Sequence, residues 1–182
     1  MVCDRSRPGP SPGRPLRIGV GTHKSRLVEL ERVPFGVPEE TELTPRSPDD
    51  VFAYLDDLGK HGEWQEQIVS VHVETDGPTR VGSRATDKRR LPGGTRDVTY
   101  EITEHDPPRT SSFRGVNGPI RPLGTLTVES LDDGARSKLT LAFELKGQGL
   151  GVLFAPLARA NARKEIPKSH QRLKEILERN SS

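Results

Sequence analysis

Between Ile68 and Lys146 the sequence alternates apolar and polar residues with a period of two, and turn signals interrupt the alternation at short intervals. IVSVHVET runs into DGPTRVG, SRATDKRRL into PGG, TRDVTYEIT into EHDPPR, TSSFRG into VNGPIRP and LGTLTVESL into DDGA, before RSKLTLAFELK closes the series. Such alternation places successive side chains on opposite faces of a strand. Strands joined by hairpins this short run antiparallel, each beside the last. The apolar positions are Val98, Tyr100 and Ile102, then Leu126 and Val128, then Leu139, Leu141, Phe143 and Leu145. They define one face to be buried while the other meets water.

The firmest interruption is EHDPPR, residues 104–109. Pro107 and Pro108 cannot both join a sheet ladder, so they force a turn between neighbouring strands. A turn at the rim of the sheet predicts that Glu104, His105, Asp106 and Arg109 stand in solvent.

Upstream, a short strand is predicted near Glu40–Thr44, followed by SPDDVFAYLDDLGKHGEW. Ser47 supplies a capping hydroxyl, Pro48 sits at the first helical position, and Asp49 and Asp50 face the positive end of the helix dipole. Val51, Phe52, Leu55 and Leu58 share one face at helical spacing. Gly59 and Gly62 are expected to stop the helix, and the turn between them delivers Trp64. Downstream, residues 149–180 read as helix. Leu150, Leu153, Phe154 and Leu157 form one apolar stripe, and Ile166, His170, Leu173 and Leu177 resume it. An interior proline removes a backbone bond at a cost of roughly 3 kcal/mol, so a kink or break is expected near Pro167, with Pro156 a further complication.

Residues 1–39 read as a disordered extension and 40–180 as one domain. The extension is rich in Arg, Pro and Gly and buries too little apolar surface to offset chain entropy; a start placed too far upstream would give the same stretch. Charge divides a few residues earlier. Residues 1–32 hold seven Lys or Arg against three Asp or Glu, whereas 33–182 hold 21 against 23. The folded part therefore gives no general electrostatic reason to bind nucleic acid. The basic stretch RATDKRRLPGGTR (84–96) reads as a solvated hairpin tip. No run of apolar residues is long enough to span a membrane, and no secretory signal is visible. The single cysteine, Cys3, fits a cytoplasmic location. A monomer or weak dimer is expected.

The order of elements, together with five stretches, resembles the START/polyketide-cyclase (SRPBCC) superfamily, in its polyketide cyclase/dehydrase branch. SPDDVFAYLDDLGKHGEW is similar to the opening helices ending in tryptophan, and GPTRVGSR to the glycine-marked turn into the third strand. YEITEHDPPRTSSFRG is similar to the strand–proline turn–strand that follows. LTVESLDDGARSKLTLAFEL and PLARANARK…LKEILE are similar to the last hairpin and the terminal helix. The resemblance covers roughly 40–178. It implies an α+β helix-grip fold: a seven-stranded curved antiparallel sheet wrapped around a long C-terminal helix, with two short helices after the first strand.

It also implies a cavity between sheet and helix for a lipid-like, polyketide-like or aromatic small molecule. Its walls would come from Trp64, Tyr100, Ile102, Phe113, Leu126, Val128, Leu141 and Phe143, with Leu153, Phe154 and Leu157 from the helix. Alternatively the same space serves a cyclase or dehydratase, or the sheet and helix form a protein-interaction surface. For catalysis, Asp87 faces inward if Val81, Ser83 and Ala85 do, and Tyr100 faces inward on its own strand; both are candidate acid or base groups. His72 is directed outward if Val69, Val71 and Val73 form the apolar face. The histidines at 23, 61, 72, 105 and 170 show no ligand spacing, so no metal and no other cofactor is expected. GVGTH (19–23) and LPGGT (91–95) lack the strand-to-helix context of a phosphate loop, and no nucleophile motif is present.

Overall fold

The structure is a computed structural model that describes residues 39–43, as backbone, and 46–179. The expected disordered extension, as far as residue 38, and Cys3 lie outside the described residues. The strands are β1 (Glu39–Leu43), β2 (Ile68–Val73), β3 (Arg84–Leu91), β4 (Gly94–Asp106), β5 (Thr110–Gly115), β6 (Ile120–Leu131) and β7 (Arg136–Gly147). β2 to β7 form the expected antiparallel meander, and β1 closes on β7, giving the order β1-β7-β6-β5-β4-β3-β2. The helices are α1 (Pro48–Asp56), the single turn α2 (His61–Trp64) and α3 (Gly151–Arg179).

α1 starts as its sequence dictates. The Ser47 hydroxyl accepts from the Asp50 N–H at 3.2 Å, and Val51, Phe52 and Leu55 are buried. Its end differs from expectation. Asp57, in extended conformation, stops the helix, and its carboxylate accepts from Gly59 N–H at 3.1 Å to open a 3-10 turn over Leu58–Lys60. Gly59 therefore lies within that turn and Gly62 within α2, and the two turns together carry both His61 and Trp64 to the sheet.

Contrary to expectation, the helix α3 runs without a break through Pro156 and Pro167, and its first apolar stripe is turned inward only in part. Each proline withholds only one N–H, and the burial of Ser169, His170, Leu173 and Leu177 beyond Pro167 holds the helix in register. That stripe does not face the core: Leu150, Leu153, Phe154 and Leu157 all stay largely exposed. Gly151 and Ala155 are buried instead. A Cβ on Gly151 would run into the Pro119 carbonyl, so the helix approaches through its small residues; Leu150, Val152 and Leu153 turn outward, while Phe154 and Leu157 stand at the edge of the space under the helix.

Two β-bulges shift the period-two pattern. One lies between Ile68 and Ser70 of β2, an edge strand, and leaves Val69 and Val73 exposed with only Val71 packed inward; His72 is exposed as expected. The other lies between Ile102 and Glu104 of β4. Beyond it the inward phase falls on His105, which is therefore not in solvent. Its Nε2 lies 2.8 Å from Asp56 Oδ1 and its ring 5.8 Å from that of Phe52. The turn itself is as read, with a cis bond between Pro107 and Pro108 and with Glu104, Asp106 and Arg109 exposed. Val81 is also exposed, in the turn before β3, whereas Ser83, Ala85 and Asp87 are buried.

The core has two parts. Val51, Phe52, Leu55 and Trp64 pack with Val128, Leu139, Leu173 and Leu177. Leu58, Ala85, Tyr100 and Ile102 form the second, with Val71 and Phe113 against it.

Candidate functional site

Between the sheet and α3 lies a cavity of about 440 Å³. Volumes of ~300–1,000 Å³ are typical of small-molecule sites. Leu55, Leu58, His61 and Trp64 wall it from the α1–α2 segment, Val98, Tyr100, Ile102 and Phe113 from β4 and β5, and Leu126, Leu141, Phe143 and Leu145 from β6 and β7; Phe154, Leu157, Ala158 and Ile166 close the α3 side. The space opposite Phe113 depends on a missing side chain. The register sets Phe113 against Gly124, and the ring occupies the place where a Cβ on Gly124 would stand.

Of the residues expected to line the cavity, Trp64, Tyr100, Ile102, Phe113, Leu126, Leu141, Phe143, Phe154 and Leu157 do so. Val128 does not: it is consumed in the first core cluster, under α1. Leu153 does not either, because it points into solvent. Asp87 is fully buried but is not on the wall; it sits behind Arg89, which is.

The polar groups of the cavity form three hydrogen-bonded groups. Period-two alternation in β3 puts Ala85, Asp87 and Arg89 on one face. Arg89 donates to Asp87 Oδ2 from Nη2 at 2.7 Å and from Nε at 3.1 Å, and to Gln65 Oε1 at 2.8 Å. The other Asp87 oxygen, Oδ1, is buried without a hydrogen-bond partner among the described residues. A buried acceptor left this way is costly, so the Arg89 pairing is what keeps the carboxylate tolerable at all.

His61 bridges the second pair. Its Nε2 is 3.1 Å from the Leu55 carbonyl and its Nδ1 is 3.1 Å from the Tyr100 hydroxyl. A carbonyl only accepts, so Nε2 carries the proton and Nδ1 receives the Tyr100 O–H. Burial holds the His61 imidazole below the ordinary histidine range, against the pull of the Asp87 charge and the Leu55 bond. Burial, and then Asp87, push the Tyr100 phenol above its ordinary range. The site thus holds a neutral imidazole and a neutral phenol beside a permanent guanidinium charge. At the α3 side, Gln67 donates to Glu165 at 3.1 Å and Lys168 donates to the other Glu165 oxygen at 3.2 Å. His170 also borders the cavity, and burial lowers its pKa.

Sequence reasoning missed His61, Gln65, Gln67, Arg89 and Glu165. Two of them carried a usable signal. Arg89 follows Asp87 by two in the same strand. His61 and Trp64 stand three apart in a helical turn, the spacing that puts two side chains on one side, and their rings are 5.8 Å apart.

The profile of the family described as polyketide cyclase / dehydrase and lipid transport matches residues 38–178. An uncharacterized protein of Mycobacterium tuberculosis is 31% identical over 122 residues, covering 65% of this chain and 80% of that one. Among solved structures, the Zhui aromatase/cyclase from Streptomyces sp. R1128 superposes with a TM-score of 0.68 at 14% identity, over 81% of this chain and 95% of that one. A START superfamily protein from Mycobacterium smegmatis superposes with a TM-score of 0.61 at 12% identity, over 80% and 99%. At such identities the superpositions speak for the fold, and the profile match speaks for the family. The superpositions give the chain the fold of the START superfamily protein, and the profile match over residues 38–178 places it in the polyketide cyclase / dehydrase and lipid transport family.

Proposed function

We infer that the protein binds an amphipathic small molecule, with an apolar body of rings or chain and a carbonyl or anionic end, inside the cavity. The helix-grip arrangement, a sheet curved around α3, is what provides the space in this reading. The observation that carries it is the pairing of an apolar wall with one polar patch. Leu58, Ile102, Leu126 and Phe143 offer only dispersion contacts, while Arg89 and Gln65 offer hydrogen bonding to a group that arrives without one. Arg89 already meets Asp87 and Gln65 through Nε and Nη2, so a ligand with an acceptor end pairs with its remaining donors, which a purely apolar ligand would cover without a partner. Native mass spectrometry of protein purified without detergent is expected to show a non-covalent adduct of small mass. A clean apo mass, together with no melting shift across a panel of amphipathic aromatic acids, would refute the reading.

A second reading, acid–base catalysis of a cyclase or dehydratase kind, is favoured by the His61–Tyr100 pair. Neutral His61 has a basic Nδ1 once Tyr100 turns its hydroxyl to a ligand carbonyl, and a raised phenol pKa keeps that hydroxyl protonated as a donor. If this reading holds, Tyr100→Phe and His61→Gln abolish turnover while ligand affinity changes little. If the protein only binds, neither change alters the chemical fate of the ligand.

A further inference from the structure

The outward-turned stripe of α3 is placed where it has a use. Leu150, Val152, Leu153, Phe154 and Leu157 are between 59% and 79% exposed, and they are contiguous in the first turns of the helix and just before it. Phe154 and Leu157 border the cavity, as do Leu91 and Pro92 at the tip of the β3–β4 hairpin. Leu91 is itself 37% exposed. The mouth of the cavity is therefore rimmed by apolar side chains from two separate elements.

Charge is segregated around the same mouth. Residues 88–96 hold Lys88, Arg90 and Arg96 exposed, with Arg89 paired to Asp87 inside the cavity, and residues 147–164 hold Arg163 and Lys164 exposed, with Arg159 donating to the Leu145 carbonyl; neither segment contains an acid. The rest of 33–182 holds fourteen basic residues against twenty-three acidic ones. Arg163 and Lys164 follow Val152, Leu153, Pro156 and Leu157 on the same solvent-facing side of α3, at helical spacing, so the helix is apolar at its tip and cationic one to two turns further along.

We propose that this face docks on an anionic lipid surface, with the Leu150–Leu157 tip in the acyl boundary and the cations at headgroup level. Apolar insertion combined with basic residues at the interface is the pattern of peripheral membrane binding. A second copy of the chain is a poorer occupant, because two such faces would bring cation against cation. Docking this way sets the open cavity against the lipid phase, so an amphipathic ligand passes between the two without crossing water. The docking stands on the exposed rim and its charge, whatever the cavity holds.

The test is flotation of the full chain with vesicles of phosphatidylcholine, alone or with about 25% phosphatidylglycerol, at low and high salt. Binding is expected to the anionic vesicles and to weaken as salt rises. Leu150→Glu/Leu153→Glu, at two positions off the cavity wall, is expected to abolish it, and Arg163→Gln/Lys164→Gln to weaken it about 30-fold. Both variants should keep the melting temperature and the cavity's affinity for anilinonaphthalene sulfonate, which separates failure of docking from failure of the cavity. The proposal is overturned if neither vesicle is bound. It is also overturned if binding survives Leu150→Glu/Leu153→Glu, or if sedimentation equilibrium shows a dimer that this variant dissociates.

Discussion

Protonation of His61 gives a prediction whose sign and size follow from its two hydrogen bonds. The imidazole is held neutral between the Leu55 carbonyl and the Tyr100 hydroxyl, and burial lowers its pKa from 6.5. Above that value neither the folded nor the unfolded chain holds the proton, and the group is silent. Below it the unfolded chain takes up a proton that the folded chain refuses, so stability falls as pH falls until the folded pKa is reached. The slope in that window approaches ~1.4 kcal/mol per pH unit for one group. His170, also lowered by burial, adds a second contribution of the same sign. His61→Gln keeps an acceptor for Tyr100 and a donor for Leu55 but removes the titration. Urea unfolding between about pH 7 and about pH 5.5 should therefore show the native protein losing up to ~1.3 kcal/mol more than the variant. The comparison of each protein with itself cancels any constant cost of the substitution. An identical pH dependence for both would refute the placement of a neutral His61 in the wall.

Gly124→Ala should force the Phe113 ring toward the cavity, costing about 1–3 kcal/mol and weakening binding of a cavity probe; adding Phe113→Leu should recover much of both, read by thermal melts and probe titration. Ser47→Ala removes the α1 cap and should cost about 1 kcal/mol in urea unfolding. Leu139→Ala, at a site 1% exposed, should cost about 2–5 kcal/mol by the same assay, whereas Leu153→Ala should stay within about 0.5 kcal/mol.

The meander was legible because two signals coincide in it: period-two alternation, and turn residues where each strand must end. Most of the cavity wall followed, since Tyr100, Ile102, Phe113, Leu141 and Phe143 keep the phase of their strands. What escaped the sequence were changes of phase and competition between faces. A bulge after Ile102 sends His105 inward to Asp56, and a bulge after Ile68 undoes the valine face of β2. In α3 the hydrophobic stripe suggested which side is buried, but close approach to the sheet at Gly151 selected the side with small residues. Val128 lies on the inward face as expected, yet α1 covers it, and no strand pattern reveals where a helix will lie. His61 escaped because a turn read only as a means of delivering Trp64 carries two side chains to the sheet. The continuous run of α3 through Pro167 shows packing prevailing over local propensity.

The central claim is that the space beside Arg89, His61 and Tyr100 is a binding cavity rather than imperfect packing. Titration of the protein with anilinonaphthalene sulfonate, an apolar ring system with an anionic end, tests it most directly when Ile102→Trp is titrated in parallel. The account predicts saturable binding at one site per chain, lost when the tryptophan fills the cavity and weakened by Arg89→Leu made together with Asp87→Leu, which removes the cation without stranding the buried carboxylate. Absence of saturable binding to the native protein, or binding indifferent to both variants, would contradict it.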